Sequence, residues 1–153
     1  MPISKIELLE DPVQIRKLYE FIRSIPLDYP SYEEWTKKCY KEILLGYKKA
    51  FVCTLDSQII GNLIFQPHKK DRSCLELKNG RVDQRYRRRK VFTRLCSIVE
   101  DYAMHQGYKK IIADAHTENT EIIETFKKLG FTIESQENLY NSKLEVILVK
   151  DLK

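Results

Sequence analysis

Arg85, Arg87, Arg88, Arg89 and Lys90 crowd one short stretch of this chain, with Arg81 and Arg94 close by. They follow an extended run ending in Val82 and precede a segment of helical periodicity that opens at Val91-Phe92. A helix start presents backbone N–H groups without intrahelical partners, together with the positive end of the helix dipole. Cations at that point make it a site for phosphate, and a run this dense points to a polyphosphate ligand. Three readings stay open. The run could clamp the phosphates of a cofactor, bind the backbone of RNA or DNA, or form a solvated basic face.

The rest of the chain must position that turn. Its 153 residues are enough for one domain, 1–153, with a real core. The net charge of +5 favours anionic ligands but falls short of a nucleic-acid signature. Cys39, Cys53, Cys74 and Cys96 are widely spaced with no C-x-x-C, and His68, His105 and His116 are scattered. That pattern predicts free thiols and no metal centre. There is no basic-then-apolar leading segment and no apolar run long enough to cross a bilayer, so a reduced cytoplasmic setting is expected.

Ile3 to Leu9 reads as a first strand. Asp11-Pro12-Val13-Gln14 opens a helix carrying Ile15, Leu18, Ile22 and Ile25 at helical spacing. Ser31-Tyr32-Glu33-Glu34 has the form of a capping box for a second helix, lined by Trp35, Cys39 and Ile43 and ended by Gly46. Phe51 to Leu55 and Ile59 to Phe65 pattern as strands around an Asp56-Ser57-Gln58 loop, and Cys74 to Val82 as a fourth strand. A third helix runs from Lys90 to about Gln106 with Phe92, Leu95, Cys96, Val99, Tyr102 and Ala103 as its apolar stripe. Lys110 to Ala113 is a fifth strand. Asn119 caps a short helix whose Ile122, Phe126 and Leu129 face inward, and Gly130 takes the left-handed position after it. Phe131 to Ile133 and Leu144 to Val149 complete the order β-α-α-β-β-β-α-β-α-β-β. The expected class is α/β (α+β), a mixed central sheet flanked by helices.

This order, together with two motifs, resembles the GNAT superfamily of acyl-CoA-dependent N-acetyltransferases over essentially the whole chain. In that family a strand ends in Val, an Arg or Gln stands five residues on, and x-x-Gly-x-Gly/Ala opens a helix. Here these positions are Val82, Arg87, Lys90 and Phe92. Asn119, Phe126 and Leu129-Gly130-Phe131 match the second signature. Both motif glycines are therefore replaced. A Lys90 of ordinary φ would leave the backbone open to a pyrophosphate and add an ammonium.

The resemblance implies acetyl transfer from acetyl-CoA to a primary amine by direct attack. It implies cofactor contacts from Val82, Arg87, Arg88, Arg89, Lys90, Val91, Phe92, Asn119 and Phe126. Glu76 stands six residues before Val82, where some relatives carry a general base. An ion pair with Lys78 is its alternative role. Phe126 stands where many relatives place a tyrosine acid; Tyr86 and Tyr140 are the tyrosines that could substitute. Gly80 marks the place where the family bulges the fourth strand. The acceptor, a small molecule or a peptide, would lie by the segment 26–35, whose Asp28, Glu33 and Glu34 attract cations. Edge strands near the C-terminus could pair two copies. The competing readings are a basic module that binds nucleic acid, including tRNA, and a catalytically silent GNAT-like domain.

Overall fold

The computed structural model describes residues 4–25, 31–138 and 144–152. The elements are β1 (Lys5–Leu8), α1 (Pro12–Ser24), α2 (Tyr32–Leu44), β2 (Lys49–Leu55), β3 (Gln58–Pro67), β4 (Cys74–Val82), a 3-10 turn (Gln84–Tyr86), α3 (Val91–His105), β5 (Lys110–His116), α4 (Thr120–Lys128), β6 (Thr132–Glu137) and β7 (Glu145–Asp151). The expected order is present, with the 3-10 turn added. The strands hydrogen-bond in the order β1-β2-β3-β4-β5-β7-β6. The chain divides into two compact units, Met1–Gln66 with Lys78–Val99, and Pro67–Leu77 with Glu100–Lys153.

In the first unit, β1, β2 and β3 pair antiparallel. The hairpin between β2 and β3 turns on two residues. Asp56 and Ser57 both take positive φ, 51° and 67°, as a two-residue primed turn requires. Gln58 therefore belongs to β3 rather than to the loop. Helix α1 opens as its sequence predicts: the Asp11 carboxylate accepts from Val13 N at 2.9 Å, with Pro12 at the first position. Its Ile15, Leu18 and Ile22 bury with Cys39 and Ile43 of α2 over Ala50, Val52 and Ile64. Each large aliphatic side chain buried this way contributes about 1.5–3 kcal/mol.

The start of α2 departs from expectation. Ser31 sits at φ 57° and makes no side-chain cap. A capping hydroxyl needs an extended backbone, so the left-handed turn takes it out of reach. Trp35 is half-buried against the core cluster, while Tyr32 goes deeper and donates to Ile22 O at 3.0 Å. Asn79 donates to that same Tyr32 hydroxyl at 3.4 Å, and Asn62 donates to Asn79 Oδ1 at 3.2 Å. This buried polar chain ties α2 to β3 and β4.

Two strand glycines seat the first turn of α3 within this unit. A Cβ on Gly61 would stand 2.9 Å from Val91 Cγ1, and one on Gly80 would stand 2.6 Å from Phe92 Cε1. Gly80 leaves room for the Phe92 ring.

In the second unit, Cys74–Glu76 of β4 runs parallel to Lys110–Ile112 of β5, and β7 pairs antiparallel with β5 and β6. Strand β5 extends three residues past Ala113 because β7 supplies partners as far as Glu145. Asn119 caps α4 by accepting from Ile122 N at 3.4 Å. Ile123 and Phe126 are the buried residues of α4, and Ile122 is only half-buried. The helix ends in a Schellman motif. Gly130 N donates to Lys127 O, and Phe131 N to Phe126 O, both at 3.0 Å, with Gly130 at φ 98°. The rings of Phe126 and Phe131 close it hydrophobically at 4.9 Å. The Leu129-Gly130-Phe131 signature is therefore a helix stop.

All four cysteines are free and buried, and burial pushes the Cys39 thiol up to about 12. Among the described residues no helix is long and apolar enough to cross a membrane, and no group of three His, Cys, Asp or Glu side chains could hold a metal ion.

Replacing Gly80 with Ala forces the Phe92 ring to move, and overpacking of this kind costs about 1–3 kcal/mol. Urea melts should show that loss in Gly80→Ala and a much smaller one when Phe92→Ala is already present. Equal losses in both backgrounds would mean that the ring and the glycine are not coupled.

Candidate active site

The basic turn belongs to the first unit. As β4 ends, Asp83 N donates to Ile60 O at 2.7 Å and fixes the exit of the chain. The Asp83 carboxylate accepts from Arg85 N at 2.9 Å, from its Nε at 3.2 Å and from its Nη2 at 3.1 Å. These bonds hold the Asp83 carboxyl below its ordinary range. They also fold Arg85 back on the turn, so its charge is already answered. The Arg85 and Arg89 guanidiniums each lie 5.6 Å from the centre of the Tyr86 ring. Tyr86 is thus a packing surface for arginines. Asp83 shapes the turn although motif and charge do not single it out; Asp two residues before Arg at the end of a strand is a turn-capping pattern.

Arg87, Arg88, Arg89 and Lys90 are placed at the surface end of this turn, and Arg88, Arg89 and Lys90 are exposed. Arg88 and Lys90 take φ of 67° and 59°. The condition of an ordinary φ at Lys90 is therefore not met. Lysine holds the left-handed conformation that glycine adopts readily, at about 1–2 kcal/mol of strain. Lys90 O then accepts the first helical bond, from Arg94 N at 3.0 Å. Val91 is buried and Phe92 half-buried, so the side chains of this first turn point into the fold around Gly61 and Gly80. Val82, the last residue of β4, is half-buried in the same unit.

Glu76, Asn119 and Phe126 lie in the second unit. Glu76 is half-buried on β4, and its Cα pairs with that of Ile112. The Asn119 side chain is engaged with the α4 backbone, and the Phe126 ring packs on Phe131 in the core. Tyr140 and residues 26–30 of the acceptor segment lie outside the described residues.

The second unit also holds a constellation that the sequence motifs do not announce. Glu145, at the start of β7, is 1% exposed. Its Oε2 stands 3.0 Å from Nδ1 of His116, at the end of β5. Asp114 stands two residues earlier on the same face of β5. Burial and the Asp114 charge push Glu145 up to about 7. The signal that could have found it is alternation. Ile111, Ala113 and Ala115 are buried on one face, which leaves Asp114 and His116 on the other. An acid then precedes the apolar run Val146-Ile147-Leu148 in the partner strand.

The turn has the donor set of a polyphosphate site. It offers exposed guanidiniums and an ammonium, left-handed backbone at Arg88 and Lys90, and the N-terminus of a fifteen-residue helix. These features fit a coenzyme carrying a pyrophosphate.

Comparison with known proteins agrees. A model of the acetyltransferase (GNAT) family matches residues 14–131. An acetyltransferase of the GNAT family from Desulfovibrio desulfuricans superposes with a TM-score of 0.85 at 12% identity, over 97% of this chain and 99% of that one. The ribosomal-protein-S18-alanine N-acetyltransferase of Escherichia coli gives 0.80 at 18% identity, over 97% and 94%. Ard1 from Thermoplasma volcanium gives 0.80 at 18% identity, over 98% of each chain. No curated protein matches by sequence. A family match across most of the chain, on a fold shared end to end with these structures, establishes that this protein belongs to the GNAT acetyltransferase family.

Proposed function

We propose that this protein transfers the acetyl group of acetyl-CoA to a primary amine by direct attack, in a reducing cytoplasmic compartment. The observation that carries the reading is the turn Arg87–Lys90. It is a basic loop at the surface with two left-handed residues, running into the start of α3. Acetyl-CoA brings a thioester carbonyl for the amine to attack, with a thiol as leaving group. Arg87, Arg88, Arg89 and Lys90 supply cations for its phosphates, and the backbone N–H groups of Val91 and Phe92 supply donors. The backbone of Val82 and the side chain of Asn119 are further candidate contacts. Phe126 contributes through the helix it anchors. Glu76 is the carboxylate assigned to take a proton from the attacking nitrogen.

A compact anion suits this turn better than a long nucleic-acid backbone. Asp83 has already answered Arg85, and two arginines share the face of Tyr86. The fold shared with the S18-alanine and Ard1 enzymes supports an amine acceptor of peptide or small-molecule type.

Acetyl-CoA at about one hundred times its Kd should stabilise the fold by roughly 2.7 kcal/mol. That corresponds to a rise of several degrees in Tm, absent with free adenosine. Arg87→Ala should shrink the rise, and no rise with the unaltered protein would remove the cofactor assignment. Lys90→Gly should raise the Tm of the free protein by relieving about 1 kcal/mol of backbone strain. Lys90→Ala should not, which separates the strain from the charge. Glu76→Gln should lower kcat by about 10²-fold or more with KM little changed. Wild-type rates from that variant across pH would clear Glu76 of the role.

A further inference from the structure

Three of the exposed large apolar side chains stand together at the end of α2, in the first unit. Leu44, Leu45 and Tyr47 are 44%, 70% and 68% exposed. Single exposed leucines are ordinary on a folded surface, whereas a cluster of apolar side chains marks an interaction site. The backbone holds this cluster in a fixed turn. Tyr47 N donates to Glu42 O at 2.9 Å and Gly46 N to Ile43 O at 3.1 Å, with Gly46 at φ 85°, which is a Schellman stop. A Cβ on Gly46 would meet nothing within 4 Å, so the apex of the turn stands clear of the fold. The feature is a knob, not a groove.

The knob carries a strong charge bias. Residues 37–49 hold five lysines and one acid, Glu42. Buried Lys48 answers Glu42 at 2.8 Å. Lys37, Lys38, Lys41 and Lys49 are all exposed. Lys37, Lys41 and Leu44 follow one another at helical spacing, as do Lys38, Lys41 and Leu45, while Cys39 and Ile43 turn into the core. Cations and apolar tip therefore share the solvent face of α2.

We propose that this end of α2 docks on the surface of an anionic phospholipid bilayer. Leu44, Leu45 and Tyr47 enter the boundary between headgroups and acyl chains. The lysines reach the lipid phosphates while their aliphatic stems lie along that boundary. The occupant follows from having to answer both features at once. A second copy of the same face would set lysines against lysines. A nucleic-acid backbone would answer the lysines and leave the leucines in water. A convex tip suits a deformable surface, whereas a protein partner would need a groove cut to receive it. This docking does not depend on the acetyl-transfer reading.

Vesicle flotation of the whole protein tests it. Phosphatidylcholine vesicles with about a third of their lipid as phosphatidylglycerol should carry the protein at low salt, and pure phosphatidylcholine vesicles should not. High salt should weaken the binding. Lys37→Ala combined with Lys41→Ala should lower the partition coefficient by about tenfold or more. Leu45→Ser should lower it by about tenfold or more as well, since an apolar side chain no longer leaves water. These side chains are exposed, so neither change should move the Tm of the free protein or its rise with acetyl-CoA. Tyr47→Trp adds a reporter at the tip, and its fluorescence should shift to the blue on anionic vesicles. A protein that stays off anionic vesicles at low salt overturns the proposal, and its retention on polyglutamate instead would reassign the face to an acidic protein. Binding that survives the α2 substitutions but is lost in Arg88→Ala with Arg89→Ala also overturns it, because the contact would then be the basic turn.

Discussion

The close approach of the first turn of α3 to β3 and β4 is the constraint on which the basic turn depends. Val91 and Phe92 occupy space that a Cβ on Gly61 or Gly80 would claim. The turn above has few ways to reach a helix set so low. Asp83 anchors its near end through Ile60 O, and Lys90 O begins the helix at its far end. Between these points Arg88 and Lys90 absorb the geometry with left-handed φ. Strain in the backbone and exposure of the cations thus have one origin. The side chains that could relax it inward are already committed to the core, so the charged ones face solvent.

Lys90 and Phe92 are the two residues that stand where the resemblance expects glycines. Lys90 adopts the left-handed conformation open to glycine at an energetic cost, and the room for the Phe92 ring lies on the strand. Phe92 is large, but Gly80 opposite it is as small as a residue can be. Volume is conserved across the contact even though neither partner alone looks suited to it. A residue-by-residue comparison with a motif registers two losses at this place. The packed structure registers one exchange and one strained lysine.

Much of this is legible in the sequence, and the reasons differ by element. Strand β4 is readable to its last residue because Val82 is followed by the polar Asp83 that stops it. The Asp11 and Asn119 caps and the Gly130 stop are local chemistry, decided within four residues, and local chemistry is what a sequence displays best. Ser31 fails as a cap because its own backbone is left-handed, which no capping pattern encodes. Ile122 and Ile123 are equally apolar, and only the rotation of α4 about Phe126 decides between them. The role of Gly80 depends on a ring twelve residues away, and the meeting of His116 with Glu145 on a pairing across twenty-nine residues. Contacts of that kind are absent from periodicity.

The buried acid of the second unit follows from the same register. Once β5 continues to His116, its pairing with β7 sets Glu145 beside the imidazole and Asp114 one step inward. Glu145 cannot escape to solvent, because it opens a strand whose next three residues are all buried. A lone carboxylate there would be costly, and two would repel each other. Burial and the Asp114 charge raise the proton affinity of Glu145, and the His116 imidazole stands 3.0 Å away. A hydrophobic residue at 145 would remove the desolvation cost at once, so stability alone does not account for a carboxyl at this position.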